Sequence, residues 1–379
     1  MIRVNEKRLV STFLDLLRID APTFRERPAA EYLKKTFHGL GLKVAEDKSA
    51  AAIGGECGNL LVRIPGSACC PGLILVSHLD TILSTRDLRV WETGGVFRSD
   101  GATILGADDR AGVAVMIEIA RILTGGGSPV PLELLFTVAE EKGLCGAKKI
   151  APGWLKGKAA LILDSGGPAG SAIYRAPFGE KIRVTIEGKA AHAGMEPEAG
   201  VNAVVIAARA ISRMKLGRVD DETTANVGII RGGEAVNIVP EKVVLEAEAR
   251  SLNERKLIRQ VRRMEAIIRG AAAELGGKAH FHAERDYHGF RLSRSLGLLK
   301  VLKKVCGDLG LPFRPEVSCG ASDANLLNRL GISALDLSVG YYKPHTREES
   351  IARRDLVASA HLVLGVIEEI GKERIAHSA

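Results

Sequence analysis

The sequence has few cysteines and no long apolar run. Its six cysteines among 379 residues show neither CxxC spacing nor the rhythm of a disulfide framework, so we expect reduced thiols. No apolar run reaches the roughly 18 residues that a membrane-spanning helix needs. The first residues, MIRVNEKRLV, lack the unbroken apolar core and the cleavage site of a secretory signal. These absences predict a cytoplasmic protein with no membrane partner.

The composition is that of an ordinary globular protein. Hydrophobic residues make up 46% and charged residues 26%, which excludes disordered and fibrous classes. The formal net charge is +8, but the densest basic cluster, RKLIRQVRRM at 255–264, is interleaved with apolar residues that fall on one helical face. We interpret its arginines as the exposed side of a helix and predict no nucleic-acid partner.

Alternating helix and strand patterns predict an α/β domain. Helical patterns near 6–19 and 27–40 precede short apolar runs that are rich in branched residues, namely GNLLVRI, GLILVSHLD, LELLFTVAEE and AALILDS. These runs predict a buried, mostly parallel sheet flanked by helices. The same style resumes late in the chain with a helix near 295–308, the strand ISALDLSVG and a helix near 354–370.

Residues 181–288 have a different order of elements. Their patterns read strand, helix, strand, strand, helix and strand, which is the ferredoxin-like, two-layer α+β arrangement. A chain of 379 residues is long enough for two domains. We therefore predict an inserted domain at 180–289 that divides a catalytic domain into 1–179 and 290–379.

Polar residues follow several of the apolar runs. In α/β sheets, ligands bind beyond the carboxyl ends of the strands, so these residues are candidates for a functional site. The candidates are His78 and Asp80 in GLILVSHLD, Glu140 and Glu141 in LELLFTVAEE, Asp164 in AALILDS, Asp108 in GADDRAG at a helix start, and His345 after ISALDLSVG.

Each candidate alone also has a simpler explanation. Asp108 could be an acidic helix start, Asp164 a turn residue before two glycines, and His345 a surface-loop histidine. The Glu140–Glu141 pair is harder to explain, because two carboxylates next to a buried strand are costly unless they are paired or metal-bound. A second cluster in AHFHAERDYH could imitate a metal site, although an exposed strand face is the simpler interpretation of His280, His282 and Glu284.

The chemistry of the whole set favours a metal site. Two histidines and three carboxylates offer only nitrogen and oxygen donors, which suit a pair of zinc ions or of similar first-row ions. Asp80 points to the same side of an extended strand as His78 and could hold its imidazole in the metal-binding tautomer. Glu140 is then free to act as the general base that takes a proton from the attacking water.

These segments resemble a known family of dinuclear zinc exopeptidases that includes glutamate carboxypeptidase and aminoacylase, and within it the branch of peptidase T, the tripeptide aminopeptidases. The matching segments cover about residues 77–346 and are SHLDT, LGADDRAG, TVAEEKG, LDSGGP, AAHAGMEPEAG, GGEAVNIVP, CGASDANLLN and PHT. One departure is Arg110, where a lysine is commoner; it keeps the charge.

The resemblance implies a role for each site residue. Asp108 bridges two metal ions, with His78 and Asp164 on one ion and Glu141 and His345 on the other. Glu140 is the catalytic acid and base, and Asp80 orients His78. The resemblance also implies four substrate-binding residues, of which the first reaches the active site of a neighbouring subunit; they are His192, Asn237, Arg250 and Gly320.

The predicted function is the metal-dependent hydrolysis of the N-terminal peptide bond of short peptides. The cofactors are expected to be two divalent ions, zinc or alternatively cobalt or manganese, and the inserted domain is expected to form a homodimer. A dipeptidase, a carboxypeptidase or an N-acyl amino acid amidohydrolase on the same scaffold is the alternative, because the metal centre does not discriminate between them. A non-catalytic binding protein is a further alternative, although no predicted ligand or base is missing.

Overall fold

A computed structural model describes residues 3–67, 72–293 and 297–375. Cys69, Cys70 and the first residues of the helix predicted near 295 lie outside the described residues. The helices are α1 Glu6–Leu17, α2 Arg27–Gly39, α3 Ser49–Ile53, α4 Ala107–Gly126, α5 Ala203–Arg213, α6 Glu254–Glu274, α7 Gly297–Asp308, α8 Asp323–Arg329 and α9 Arg353–Ile375. Single 3₁₀ turns occur at Ala147–Lys149 and Pro197–Ala199.

The strands are short in the first part of the chain and longer in the middle. They are β1 Val44–Glu46, β2 Leu60–Ile64, β3 Leu73–His78, β4 Val90–Thr93, β5 Val96–Ser99, β6 Leu132–Thr137, β7 Ala159–Ser165, β8 Ser171–Ala176, β9 Phe178–Glu187, β10 Gly217–Asp220, β11 Thr223–Gly232, β12 Lys242–Ser251, β13 Lys278–Tyr287, β14 Phe290–Arg291, β15 Arg314–Val317, β16 Ser333–Ser338, β17 Tyr341–Tyr342 and β18 Ser350–Ala352.

The chain divides into two compact units. The first contains Met1–Tyr174, Arg291–Val317 and Ser322–Ala379, and the second contains Arg175–Phe290 with Ser318–Ala321. The inserted domain predicted at 180–289 begins five residues later than this second unit and ends one residue earlier. The prediction also did not include the short segment at 318–321. That segment is too short to carry a pattern that would assign it to either unit.

A large mixed sheet forms the centre of the first unit. Its strand order is β1-β2-β6-β3-β7-β16-β8-β14, and β15 pairs with β8. The four strands β6, β3, β7 and β16 run parallel to one another, while β2 and β8 are antiparallel to their neighbours β6 and β16. The strands β3 and β6 are buried along their whole length, because helices cover the sheet. The predicted α/β class is therefore confirmed.

Strand β2 runs opposite to the direction that a fully parallel sheet would give it. Only residues 65–72 connect β2 to β3. Parallel strands need a crossover connection of about a dozen residues or more, so this link cannot return the chain to the same end of the sheet. The apolar run GNLLVRI indicates a buried strand but carries no information about its direction.

Helix α4 is the most buried helix of the first unit. It follows Gly106, whose φ of +74° lies in the left-handed region, and the residues from Ala107 to Ala120 are all buried. Its apolar side chains join those of α1, α7 and α9 in one hydrophobic core. The start of α4 is thereby fixed against the central sheet, which matters because Asp108 lies there.

The second unit is a two-layer sandwich. Its antiparallel sheet has the order β10-β11-β12-β9-β13, and the helices α5 and α6 contribute to a separate core with β9, β11 and β12. Asparagine side chains cap both helices, Asn202 for α5 and Asn253 for α6. Apart from the short extra strand β10, this is the predicted ferredoxin-like arrangement.

Two further observations bear on the predictions made from what the sequence lacks. Within the described ranges, no helix combines the length and the hydropathy that crossing a bilayer requires. Cys57 and Cys306 are buried free thiols, and Cys319 is an exposed one.

Candidate metal centre

The predicted ligands of the first unit meet at one edge of the central sheet. His78 is the last residue of β3, Glu141 follows β6, and Asp164 lies near the end of β7. Because these three strands are parallel, their carboxyl ends lie at the same edge. Asp108 reaches this edge from the start of α4, and His345 reaches it from the loop between β17 and β18.

The side chains form a chain of contacts with Asp108 at its centre. One oxygen of Asp108, Oδ1, lies 3.0 Å from His78 Nε2, and the other, Oδ2, lies 3.3 Å from His345 Nε2. His78 Nε2 is also 3.4 Å from Asp164 Oδ1, and His345 Nε2 is 2.9 Å from Glu141 Oε2. The structure thus brings together all five predicted ligands, with Asp108 between a His–Asp pair and a His–Glu pair.

The local electrostatics favour positive charge at this position. Burial lowers the pKa of His78, but Asp164 and Asp108 outweigh it and hold that pKa well above its ordinary value. Hydrogen bonds with Asp108 and Glu141 raise the pKa of His345 to about 10. Burial, together with neighbouring carboxylates, raises the pKa of Asp164 well above its usual range. The carboxylates that stabilise protonated histidines here would also stabilise another bound cation.

The donor set fits a pair of divalent ions. The donor atoms of His78, Asp108 and Glu141 lie within 4.8 Å of one another, and the same holds for His78, Asp109 and Asp164. Glu141 Oε1 is buried and has no hydrogen-bond partner, although an unpaired buried carboxylate oxygen is costly. Imidazole and carboxylate donors suit zinc and similar first-row ions. Metal coordination would satisfy the atom that hydrogen bonds leave unpaired.

Asp109 is close to the site but its oxygens are already used. The side chain of Ser77 and the backbone N–H of His78 donate to Oδ2, and the backbone N–H of Gly112 donates to Oδ1 at 3.1 Å. We therefore assign Asp109 to holding the start of α4 against β3 and leave Asp108 as the central carboxylate. The sequence showed two adjacent aspartates but did not indicate this division of roles.

Asp80 contacts the ring of His78 and two backbone groups. His78 Nδ1 lies 2.9 Å from the backbone oxygen of Asp80 and 3.4 Å from its Oδ1, so that Nε2 faces the ligand cluster. The carboxylate of Asp80 also accepts the backbone N–H groups of Glu140 at 3.0 Å and Glu141 at 3.2 Å. The sequence predicted the contact of Asp80 with His78 but did not predict its contacts with the two backbone N–H groups.

Glu140 and Glu141 differ in their contacts. Glu141 contacts His345, whereas the carboxylate of Glu140 belongs to neither group of clustered donor atoms in the described part of the chain. Burial raises the pKa of Glu140 well above its ordinary value, and the neighbouring carboxylates of Asp323 and Glu141 add to this effect. Glu140 is therefore separate from the clustered donors and is the candidate for proton transfer.

Three further residues support the site and were not predicted from the sequence. The carboxylate of Glu349 accepts the backbone N–H groups of Gly106 at 2.7 Å and Asp108 at 3.0 Å. The hydroxyl of Tyr341 donates to the backbone oxygen of Asp164 at 2.8 Å. The third is Asp323, which accepts the Thr137 hydroxyl at 2.5 Å and whose pKa burial raises to about 6.

The contacts of Arg110, which stands where a lysine is commoner, show how the structure uses its positive charge. Its side chain is buried and donates to the backbone oxygens of Ile19 and of Leu79, the residue before Asp80. Burial lowers its pKa to about 10, so the guanidinium stays charged at neutral pH. Arg110 contacts backbone oxygens and contacts none of the five clustered side chains among the interactions of the described residues.

The four predicted substrate-binding residues belong to the second unit. The backbone N–H of Ala193 donates to the backbone oxygen of Asn237 at 2.9 Å, which brings the loop of His192 next to that of Asn237. Arg250 Nη2 donates to Glu248 at 2.8 Å, while its buried Nε has no hydrogen-bond partner. Gly320 lies in the exposed turn at 318–321, where its N–H donates to a serine hydroxyl. Their roles in substrate binding remain predictions.

The tautomer of His192 can be inferred from its contacts. Its Nδ1 accepts backbone N–H groups from Gly194 at 3.2 Å and Met195 at 3.1 Å. A neutral imidazole whose Nδ1 accepts hydrogen bonds carries its proton on Nε2. The exposed ring therefore presents an N–H donor.

The alternative cluster in the second unit does not converge. His280 Nε2 contacts Glu187 at 3.2 Å and His282 Nε2 is 4.0 Å from Glu284, on exposed side chains of the sheet. Across the ranges that the structure describes, the groups of three or more converging metal-binding side chains all lie in the first unit. The interpretation of His280, His282 and Glu284 as an exposed strand face is therefore retained.

Comparisons with known proteins agree with this geometry. The peptidase dimerisation domain of the M20 family matches residues 181–275, and a model of M42 glutamyl aminopeptidase matches residues 97–176. The protein YqjE of Bacillus subtilis, itself uncharacterized, is 40% identical over 370 residues, which are 97% of this chain and 100% of YqjE.

Two crystal structures are similar over nearly the whole chain. The aminopeptidase PepT from Bacillus cereus is 39% identical with a TM-score of 0.86, and a tripeptidase from Staphylococcus aureus is 38% identical with a TM-score of 0.91. Both matches cover 97% of this chain and 99% of the other. The chain therefore belongs to the M20 peptidase family and is a metallopeptidase, the class that its motifs predict.

Proposed function

We propose that the protein is an aminopeptidase that removes the N-terminal residue from tripeptides. The observation that carries the proposal is the position of Asp108, whose two carboxylate oxygens each contact a different histidine. The similarity to an aminopeptidase and a tripeptidase over nearly the whole chain supports the substrate class.

In this proposal two divalent ions, zinc by preference and cobalt or manganese as alternatives, are held by five residues. Asp108 would be shared by both ions, His78 and Asp164 would hold one ion, and Glu141 and His345 would hold the other. When bound, such ions lower the pKa of a coordinated water and polarise the scissile carbonyl. Asp80 keeps Nε2 of His78 turned towards the ligand cluster.

The chain itself supplies the proton transfers. The Glu140 carboxylate accepts a proton from the attacking water and then donates it to the leaving amine, so that it ends the cycle ionised. Its backbone is held by Asp80, which limits the positions that the carboxylate can reach. The Nε2–H of His192, reaching the active site of the neighbouring subunit, is the donor that we assign to the oxyanion that forms on the substrate.

We further propose a homodimer formed by the second unit. In the described chain, β10 pairs only with Thr223–Ala225 of β11, so residues 226–232 present an unpaired edge. Ile230 in this edge is 52% exposed and Val205 on α5 is 45% exposed. A second copy that pairs with this edge would cover Ile230, which agrees with the dimerisation domain matched at 181–275. We place the protein in the cytoplasm, where free thiols such as Cys319 persist.

The substrate class is tested with metal-free protein and a panel of tripeptides, dipeptides and N-acetyl amino acids, with and without zinc, cobalt or manganese. Metal-dependent release of the N-terminal residue from tripeptides is the expected result. Cleavage confined to dipeptides, to C-terminal residues or to acyl amino acids would retain the site and replace the proposed substrate. Absence of cleavage with every metal would favour the binding-protein alternative.

The roles of the adjacent glutamates are tested by the matched variants Glu140→Gln and Glu141→Gln. We expect Glu140→Gln to lower kcat by about 100-fold or more while the protein still binds two ions per chain. Glu141→Gln should instead reduce the metal content, because it removes a ligand. Loss of metal from Glu140→Gln would show that the two roles are exchanged.

The dimer is tested by sedimentation of the wild type and of Ile230→Asp, which places a charge in the proposed interface. We expect a dimeric wild type and a largely monomeric variant with reduced activity. A wild type that is monomeric and fully active would refute both the dimer and the action of His192 across subunits.

A further inference from the structure

Three consecutive backbone N–H groups that follow β6 are held by two buried carboxylates. Asp80 accepts those of Glu140 and Glu141, as described above. The N–H of Ala139 is accepted by Glu26, whose Oε1 lies at 3.0 Å. The segment that carries the proposed base and one proposed ligand is thus fixed at three consecutive residues.

Ala139 has a backbone conformation that needs such support. Its φ is +50°, in the left-handed region that is strained for an L-residue. This conformation turns the chain sharply after β6 and directs the residues that follow towards the edge of the sheet. A hydrogen bond to the Ala139 N–H is therefore a bond to the turn that sets the position of Glu140.

Glu26 is buried completely and makes its contacts with a single oxygen. Oε1 accepts the N–H of Phe24 at 2.8 Å as well as that of Ala139, whereas Oε2 is buried and has no hydrogen-bond partner. The neighbouring residue Thr23 donates its hydroxyl to Asp80 Oδ2 at 2.8 Å. The turn at 23–26 consequently contacts both carboxylates that hold the segment after β6.

We propose that Glu26 is a positioning residue of the active site, which fixes the Ala139 turn and through it the carboxylates of Glu140 and Glu141. The proposal rests on the proposed function only for its kinetic consequence. Its structural consequence, an ordered segment at 138–142, can be measured whether or not the substrate class is correct.

The contacts of Glu26 provide a discriminating pair of variants. Glu26→Gln retains the Oε1 acceptor for both N–H groups and replaces only the oxygen that has no partner. Burial and the charge of Asp80 raise the pKa of Glu26 to about 7, so a neutral side chain is a close mimic near neutral pH. Glu26→Ala removes the acceptor altogether.

Glu133 offers a matched control on β6, the strand that precedes Ala139. It is buried at the start of β6, and one of its oxygens, Oε2, accepts the N–H groups of Lys156 at 2.7 Å and Gly157 at 2.9 Å. Glu133→Ala therefore removes an acceptor of two backbone N–H groups, as Glu26→Ala does, but at the other end of the strand.

The experiment measures kcat, KM, zinc affinity and hydrogen exchange of peptides that cover 138–142. For Glu26→Ala we expect kcat to fall at least tenfold with KM within about twofold, zinc affinity to fall, and exchange at 138–142 to accelerate at least tenfold. Glu26→Gln should recover each value to within about threefold of the wild type. Glu133→Ala should lose thermal stability while its kcat and its exchange at 138–142 stay within twofold.

Three results would overturn the proposal. They are unchanged exchange at 138–142 in Glu26→Ala, a Glu26→Gln variant as impaired as Glu26→Ala, and an equal loss of kcat in Glu133→Ala. If Glu26→Ala does not fold, Glu26→Leu takes its place, because it fills the space and lacks the acceptor. If the wild type cleaves no peptide, the proposed function fails, while zinc affinity and hydrogen exchange still decide the role of Glu26.

Discussion

Gly112 allows α4 to approach β7 closely, and replacing it with alanine should weaken both the fold and the metal site. A Cβ at this position would lie 2.3 Å from the backbone oxygen of Leu163 and 2.6 Å from Asp109 Oδ1. Carbon and oxygen atoms that are not bonded approach to about 3.3 Å, so the helix and the strand would have to separate by roughly 1 Å. The residue after Leu163 is Asp164, and Asp108 lies at the start of the same helix.

Gly125→Ala is the matched control for this substitution. Gly125 lies in the last turn of α4, and a Cβ there would meet nothing within 4 Å. Replacing a glycine with alanine gains up to roughly 1 kcal/mol in a helix interior, at Gly112, and less in the last turn, at Gly125. The loss of stability in Gly112→Ala relative to Gly125→Ala is therefore a lower bound on the steric cost, which we expect to be about 1–3 kcal/mol.

The assay is urea unfolding of the metal-free proteins, followed by zinc titration in competition with a chelator. We expect Gly125→Ala to be at least as stable as the wild type and to bind zinc equally well. Gly112→Ala should be less stable and should bind zinc at least tenfold more weakly. A tenfold loss of affinity corresponds to a change of about 1.4 kcal/mol in the binding free energy. Equal unfolding free energies and equal zinc affinities in the two variants would refute the argument.

Three other predictions follow from buried or paired groups. Glu349→Ala should weaken zinc binding by about 10–100-fold, measured by chelator competition, because the backbone of Asp108 loses its acceptor. Burial raises the pKa values of Cys57 and Cys306 to about 12 and 11, so peptide mapping should find both unlabelled by maleimide until the protein is unfolded. Burial alone would raise the pKa of Glu46, but a backbone N–H and a lysine ammonium bring this pKa below its ordinary 4.5. The ionised carboxylate therefore stabilises the fold above that pH, and the stabilisation is lost as the carboxylate is protonated in acid. Glu46→Gln should accordingly flatten the acid-side fall in the unfolding free energy of the metal-free protein.

The sequence predicted the strands of the central sheet and of the second unit, but it did not predict the short strands of a third, small sheet. LELLFT and LILVSH form β6 and β3, which are buried along their whole length, so every side chain contributes to an apolar run. The strands β4, β5, β17 and β18 form a separate small sheet that was not predicted. Three of the four residues of β4, VWET, are exposed, and such a short polar segment lacks the alternation that indicates a strand.

The candidate site divides in the same way between what a sequence can indicate and what it cannot. Ligand types such as His78 and Asp108 follow from chemistry and from the position of polar residues at strand ends. The backbone acceptor Glu26 lies far in sequence from every predicted ligand, and Glu349, although it follows His345 by four residues, lies beside a second glutamate in a polar segment that reads as surface. Which N–H group a carboxylate accepts is decided by tertiary structure, so these two roles could only be found in the fold.

Five of the acids around the site form two groups that respond differently to substitution. Asp108, Asp164 and Glu141 direct their oxygens at histidines, whereas Glu26 and Glu349 direct theirs at backbone N–H groups. Removing an acid of the first group takes away a donor atom and should change how many ions bind. Removing an acid of the second group leaves every donor present but less well fixed, so it should change affinity and local hydrogen exchange while the number of ions at saturation stays the same. Metal stoichiometry measured beside affinity therefore assigns each acid to its group, and a reduced stoichiometry at saturating zinc in Glu349→Ala would contradict this division.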